Sequence, residues 1–123
     1  QRFLDHVHAD GSLTMPSVRK VLGQVAPAAT TNTDLYTVPA STQTVVSTLT
    51  VANRGPSAGV FRVAVRPDGA TLANQHYVYW GIECPAQDAF AATLGLTLDA
   101  GDVVTVWAAN DQLSFSLFGE EAS

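Results

Sequence analysis

Residues 35–56 read LYTVPASTQTVVSTLTVANRGP, and this stretch decides the fold class. It predicts a short strand that ends at Pro39, because proline has no N–H to donate to a β-ladder. A longer strand, 43–53, follows, and its apolar residues alternate with threonine as in a strand with one buried face. Val45, Leu49 and Val51 are predicted to point inward, and Thr44, Thr48 and Thr50 outward.

The same alternation recurs along most of the chain. Strands are predicted at 17–25, 34–38, 43–53, 60–66, 75–84, 89–98, 103–109 and 113–118, followed by a polar tail, 119–123. Pro67-Asp-Gly69 and Asp99-Ala-Gly-Asp102 are typical turn sequences between such strands. Short strands at this spacing indicate an all-β fold, either a two-sheet sandwich or a jelly-roll-like domain.

The sequence divides into an arm and one domain. Residues 1–16 keep no regular apolar period and include the turn signal Asp10-Gly11, so we interpret them as an extended N-terminal arm. Residues 17–123 are predicted to form the β-sandwich domain. Its expected core is Leu35, Val45, Leu49, Val51, Phe61, Val63, Val65, Leu94, Leu96, Leu98, Val104, Val106, Phe115 and Leu117.

Composition narrows the classes of partner. Only 14% of the 123 residues are charged, against roughly 25% in typical soluble domains, and such a surface favours contact with other proteins. The net charge is −5, with one lysine and five scattered arginines. We therefore expect no nucleic-acid partner, which would call for a basic patch, and no membrane partner, since no apolar run has transmembrane length. The single cysteine, Cys84, fits synthesis in a reducing cytosol.

Three groups of residues in the sequence are candidates for chemistry. His6 and His8, between Asp5 and Asp10, form a weak metal-binding pattern, but solvated side chains on an arm are the commoner explanation. Asp99, Asp102 and Asp111 could bind calcium if they met at one end of the sandwich, although aspartate more often stabilises turns. Cys84 would need a base, and His76 on the same predicted strand lies too far away to serve.

The sequence contains no nucleophile elbow, P-loop or dinucleotide-binding fingerprint. We therefore expect no enzyme activity, no catalytic residue, no cofactor and no metal.

Aromatic residues supply the candidate interface: Tyr77, Tyr79, Trp80 and Trp107. They could form a ligand platform of the kind found in carbohydrate-binding β domains. Packing in the core or between subunits is the commoner role for such residues. Strand 75–84 leaves the choice open, because its aromatic and apolar residues occupy both parities.

Most of the chain, from about Val21 to Glu121, resembles small virion structural proteins of tailed bacteriophages. The resemblance is carried by VLGQVAPAATTNTDLYTVPA, VVSTLTVANRG, FRVAV and LDAGDVVTVWA. It implies a capsid decoration, or cement, protein that binds the major capsid protein as a homo-oligomer, with a trimer favoured. Its location would then be the virion, after synthesis in the host cytoplasm. The closing strands are also similar in pattern to those of trimeric C1q/TNF-like jelly rolls.

Two other functions stay open at this point. The same β module could belong to the phage tail, neck or baseplate. Alternatively, the aromatic residues could make the domain a carbohydrate-binding module.

Overall fold

A computed structural model describes residues 16–123, which form eight β-strands joined by turns and loops. The strands are β1 (Ser17–Val25), β2 (Thr33–Thr37), β3 (Gln43–Asn53), β4 (Gly59–Arg66), β5 (Tyr77–Cys84), β6 (Ala89–Leu98), β7 (Val103–Ala108) and β8 (Leu113–Ala122). Two short 3-10 turns, Pro67–Gly69 and Asn74–His76, lie between β4 and β5. The predicted all-β class is confirmed, and of the predicted arm only Pro16 falls within the described range. Residues 16–123 include no helix with the length and apolar character needed to cross a membrane.

The strands make two antiparallel sheets of four, in the orders β1-β8-β3-β6 and β2-β7-β4-β5. Each of the first four strands pairs with one of the last four in reverse order: β1 with β8, β2 with β7, β3 with β6 and β4 with β5. The chain therefore forms one long antiparallel ribbon that is folded over on itself. The pairs β3–β8 and β4–β7 complete the two sheets. This arrangement is a jelly roll, the double-sheet form of the predicted sandwich.

The core lies between the sheets and is centred on aromatic rings. Phe61 meets Phe90 and Phe115 edge-to-face, with ring centroids 5.2 and 5.8 Å apart, a favourable arrangement of the ring quadrupoles. Most of the predicted core is confirmed as buried: Leu35, Leu49, Val51, Phe61, Val63, Leu98, Val104, Val106, Phe115 and Leu117. Val65, Leu94 and Leu96 are partly buried and pack against it.

The prediction for Val45 is wrong. Val45 is 45% exposed, whereas its neighbour Val46 is completely buried. The pairing register of β3 with both neighbours shifts between Val46 and Thr48. The extra residue reverses which parity faces the core. Before the shift Thr44 and Val46 point inward, and after it Leu49 and Val51 do. The outward prediction for Thr44, which is also fully buried, is therefore wrong as well.

The predicted polar tail is also wrong, because β8 continues to Ala122. Glu120 pairs with Arg19 of β1 and with Val45 of β3, so the backbone of this segment lies within the sheet. Gly119 permits a close approach to β3, since a Cβ at this position would collide with the carbonyl oxygen of Val45. The polar composition of the segment concealed a strand that is central in its sheet.

Candidate functional site

The outer face of the β2-β7-β4-β5 sheet carries most of the candidate aromatic residues. Two register shifts in β5 place Tyr77 and Trp80 on this face. Arg62 pairs with Trp80 while Phe61 pairs with Ile82, which leaves Gly81 as an extra residue, with φ of 70°. A second shift near Val78 occurs one step along the ladder. Because each extra residue reverses the parity, Tyr77 and Trp80 share the outer face although they are three positions apart.

Trp107, Arg62 and Trp80 form a row across β7, β4 and β5, since Arg62 is the register partner of both tryptophans. The guanidinium carbon of Arg62 lies 3.7 Å from the Trp80 ring centroid and 3.9 Å from that of Trp107. These distances place the cation between two indole faces, where cation–π attraction holds it. We refer to Arg62, Trp80 and Trp107 as the aromatic clamp.

The polar atoms of Arg62 are little used by the protein. Its Nε is buried without a hydrogen-bond partner, and within residues 16–123 no ion pair forms on its guanidinium. Arg66, on the same strand and the same face, differs. It pairs with Asp34 at 3.0 Å and donates to Thr105 at 3.0 Å and to the Ala70 carbonyl at 2.9 Å. In this sheet Arg66 therefore has a carboxylate partner, whereas Arg62 is held by the stacking of indole rings on its two faces.

A cavity of about 320 Å³ adjoins the aromatic clamp and is lined by Asn74, Tyr77 and Trp80. Tyr77 and Trp80 meet edge-to-face, with centroids 4.6 Å apart and planes at 87°. Trp80 remains 57% exposed, which is high for an indole. Asn74 comes from the 3-10 turn that precedes β5. We refer to the aromatic clamp, Tyr77 and Asn74 together as the platform.

Tyr79 is separated from the other candidate residues. It points to the core side and packs edge-to-face on Phe90, with centroids 5.6 Å apart. The structure therefore brings together three of the four aromatic residues that the sequence selected. Sequence reasoning missed Arg62 and Asn74 as members of the group. Alternation along strand 60–66 predicts that Arg62 lies on the outside of the strand. Its neighbours depend on strand order, which alternation does not reveal.

The outer face of the other sheet, β1-β8-β3-β6, is almost free of charge. Register places its outward residues in rows. Charged side chains are absent from the row of Val21, Phe118, Thr48 and Thr93, from the row of Gln24, Ser116, Thr50 and Ala91, and from the row of Ser114, Ala52 and Ala89. Charges lie at the ends of the face, with Arg19 and Glu120 at one end and Arg54, bonded to Ser114, at the other. We refer to the three rows as the uncharged face.

A groove of about 450 Å³ lies at the charged end of the uncharged face, and its lining combines the apolar residues Val21, Val45 and Phe118 with the charged residues Arg19, Lys20 and Glu120. Val21 is 47% exposed. Next to this face, β6 forms a sheet edge of ten residues that contains no charged residue and no proline. Charges, prolines and bulges are the usual devices that keep an edge strand from pairing, and of these β6 uses a bulge at Gly95, where φ is 69°.

Cys84 and His76 do not form a catalytic pair. They lie at opposite ends of β5, and the His76 Nδ1 accepts a hydrogen bond from the Ala73 N–H. Burial raises the pKa of the Cys84 thiol, and the nearby Asp88 carboxylate raises it further. Because the thiolate is the reactive form, this environment disfavours the reactive form of Cys84.

The candidate calcium ligands do not meet. Asp99 and Asp102 precede β7 and Asp111 follows it, so they lie at opposite ends of a six-residue strand, about 20 Å apart. The Asp102 carboxylate accepts backbone N–H bonds from Asp68 and Asp99, both at 2.8 Å, which is a turn-stabilising role. Within residues 16–123 no cluster of His, Cys, Asp and Glu could hold a metal ion. The predicted pattern of Asp5, His6, His8 and Asp10 lies outside the described residues.

No model of a known protein family matches this chain, and no curated protein has a significantly similar sequence.

Proposed function

We propose that the chain is a bacteriophage capsid decoration protein that binds and stabilises the shell as a homo-oligomer, with a trimer favoured. The support from sequence is the resemblance to small virion proteins of tailed phages. The structural observation that carries the proposal is the uncharged face together with the β6 edge beside it. The jelly roll is also an architecture that viral capsid proteins use.

The uncharged face suits contact with a second copy of the chain. Charged residues are depleted at the centres of protein interfaces, because each would lose its hydration there. Threonine, serine and alanine on neighbouring strands give a flat surface, and Phe118 and Val21 add apolar area. A long edge strand without charges is a second feature that favours pairing or close packing with another chain.

Oligomerisation would serve attachment to the shell. Three weak contacts with the major capsid protein act together when three copies are joined, which raises avidity without any new contact. A closed cyclic assembly also stops growth into fibres. This role needs no catalysis, cofactor or metal, and it involves neither nucleic acid nor membrane as a partner.

The decisive experiment is cryo-electron microscopy of purified virions with and without icosahedral averaging. Density for the jelly roll on the outer shell at threefold or quasi-threefold positions is the expected result. Density at the tail, neck or baseplate would replace decoration by the second phage role. Absence of the chain from virions would overturn the proposal.

The assignment of the surface needs its own test. Ala91→Lys and Thr93→Lys place charges on the uncharged face, whereas Thr37→Lys places one on an exposed position of β2 in the other sheet. Sedimentation should show that the first two variants dissociate the oligomer and that the third does not. Binding to capsids that lack the protein should weaken in parallel. An intact oligomer in both face variants would show that another surface forms the contact.

A further inference from the structure

We infer that the platform is a binding site for a saccharide that carries a carboxylate group, with the sugar ring on Trp80 and Tyr77 and the carboxylate on Arg62. The inference goes beyond the proposed function and does not depend on it. It uses the outer face of the β2-β7-β4-β5 sheet, which is the face opposite the uncharged face.

The aromatic part of the platform suits a sugar ring. Trp80 is 57% exposed in a row where its partner Trp107 is largely covered. Sugar rings present C–H groups on one face, and these pack on the electron-rich face of an indole. Arg62 covers one face of Trp80, so the sugar ring uses the other face and its carboxylate reaches Arg62 past the edge of the indole. Tyr77 stands at 87° to Trp80, so the two rings make a corner instead of a flat patch. A corner fixes the position of a ring that stacks in it.

The charge of Arg62 selects the acidic group. Its two faces are covered by indoles at 3.7 and 3.9 Å and its Nε is buried, so the edge formed by its two terminal nitrogens is left for hydrogen bonds. A guanidinium edge matches the two oxygens of a carboxylate. Arg66, four residues along the strand, already has Asp34 as its carboxylate partner. Arg62 has no such partner within the described part of the chain, and the indoles hold it in place for one.

Size and polarity agree with a small ligand. The cavity of about 320 Å³ is at the lower end of the roughly 300–1,000 Å³ typical of ligand sites, which suits a short saccharide. Asn74 adds an amide at its lining, able to donate to and accept from sugar hydroxyls. The net charge of −5 repels anions in general, so binding of an acidic sugar must depend on the local contact with Arg62.

The test begins with a glycan array that includes neutral, carboxylated and sulfated glycans, probed with the full chain. Carboxylated glycans are expected to bind, with sulfated glycans weaker. Glucuronate and glucose then serve as a matched pair, because they differ only at C6, where glucuronate has a carboxylate and glucose has a hydroxymethyl group. Titration of each, followed by NMR of the indole N–H signals, should give affinity for glucuronate at least about tenfold higher, as a charge-assisted hydrogen bond provides.

Variants separate the two parts of the platform. Trp80→Ala should abolish binding of both sugars. Arg62→Gln should remove the preference for glucuronate, and Arg62→Lys, which keeps the charge without the planar edge, should lower it. Val78→Ala changes an exposed residue of the same strand outside the cavity, and it should bind as the unaltered chain does. Circular dichroism and urea unfolding confirm that each variant is folded.

Several results would overturn the inference. Equal affinity for glucuronate and glucose would show that Arg62 does not recognise a carboxylate. Equal binding of sulfated and carboxylated glycans would show that the site is not specific for a carboxylate. Binding that survives Trp80→Ala would place the ligand elsewhere. An empty array, combined with loss of the oligomer in Arg62→Gln, would mean that a carboxylate from a neighbouring copy occupies the aromatic clamp. Capsid binding by Trp80→Ala is measured separately, so that failure of the saccharide site can be told apart from failure of the decoration role.

Discussion

The hydroxyl of Tyr36 donates a hydrogen bond to the carboxylate of Glu121 and so joins β2 in one sheet to β8 in the other. The same hydroxyl lies 2.8 Å from the Thr44 Oγ1 on β3. Glu121 in turn pairs with Lys20 of β1, the only lysine in the chain, at 3.3 Å. Four strands from both sheets thus meet in one polar network. This network is a specific polar contact between two sheets whose other contacts are mainly apolar.

Removal of the Tyr36 hydroxyl should therefore destabilise the fold. Tyr36→Phe leaves Glu121 without its buried donor, and we expect the free energy of unfolding to fall by about 1–2 kcal/mol. Urea denaturation measures the change. Tyr79→Phe is the matched control, because no hydrogen bond of the Tyr79 hydroxyl occurs among residues 16–123, and it should change stability by less than about 0.5 kcal/mol. Equal effects of the two substitutions would mean that the network contributes nothing.

The raised pKa of Tyr36 leads us to expect a loss of stability at alkaline pH. Burial, followed by the hydrogen bond to Glu121, raises the pKa of Tyr36 from 10.0 to about 12. The folded chain therefore holds this proton more tightly than the unfolded chain does, so the stabilisation is complete below pH 10 and is lost as pH rises towards 12. Unfolding in urea across this range should show the loss. The difference between the unaltered chain and Tyr36→Phe isolates it from the other titrating groups, and parallel curves would contradict the assignment.

The shift in β3 makes a prediction about two adjacent valines. Val46→Ala removes two methyl groups from a fully buried site, and we expect a loss of about 2 kcal/mol. Val45→Ala changes an exposed side chain, and its effect should stay within about 0.5 kcal/mol. Thermal or urea unfolding of the pair provides the comparison. A larger loss at Val45 than at Val46 would mean that the strand keeps a single parity and has no bulge.

These valines also show how far the sequence can predict the fold. Alternation located the strand 43–53 correctly, because period-two burial is a local property. It misassigned Val45 because a bulge depends on what the neighbouring strands pair with. The same limit applies to Glu121, whose hydrogen bond with Tyr36 joins residues 85 positions apart in the sequence.

The candidate site was predictable to a similar degree. The sequence selected Trp80 and Trp107 as members of a candidate aromatic interface. Their placement on either side of Arg62 follows from the order β7-β4-β5, which a jelly roll imposes and other sandwiches do not. Strand order is a property of the whole chain, so neither periodicity nor turn chemistry reveals it.

Gly119 should be intolerant of any side chain. A Cβ there would collide with the Val45 carbonyl oxygen and crowd the Val46 Cα, which are backbone atoms of a central strand. Gly119→Ala should therefore cost about 3 kcal/mol or more. Gly81→Ala is an informative comparison, because the space around it is open and only its φ of 70° is unfavourable, for which we expect about 1 kcal/mol. If the two variants unfold at the same urea concentration, the close approach of β8 to β3 is not as described.

Cys84 should report on the opening of the sandwich. Its side chain is fully buried, and its sulfur faces the carbonyl oxygens of Val51 and Asp88 at 3.9 and 3.6 Å. Since burial also raises the pKa of the thiol, little thiolate forms near neutral pH, and reagent must wait for the structure to open. We expect modification by an aromatic disulfide reagent to be at least about a hundredfold slower than in urea. Ser57→Cys, made in a Cys84→Ala chain, supplies an exposed thiol in the loop between β3 and β4 and should react at once. Rapid reaction of Cys84 in the native chain would mean that the end of the sandwich near Asp88 opens at little cost, and the rate as a function of urea would give that cost.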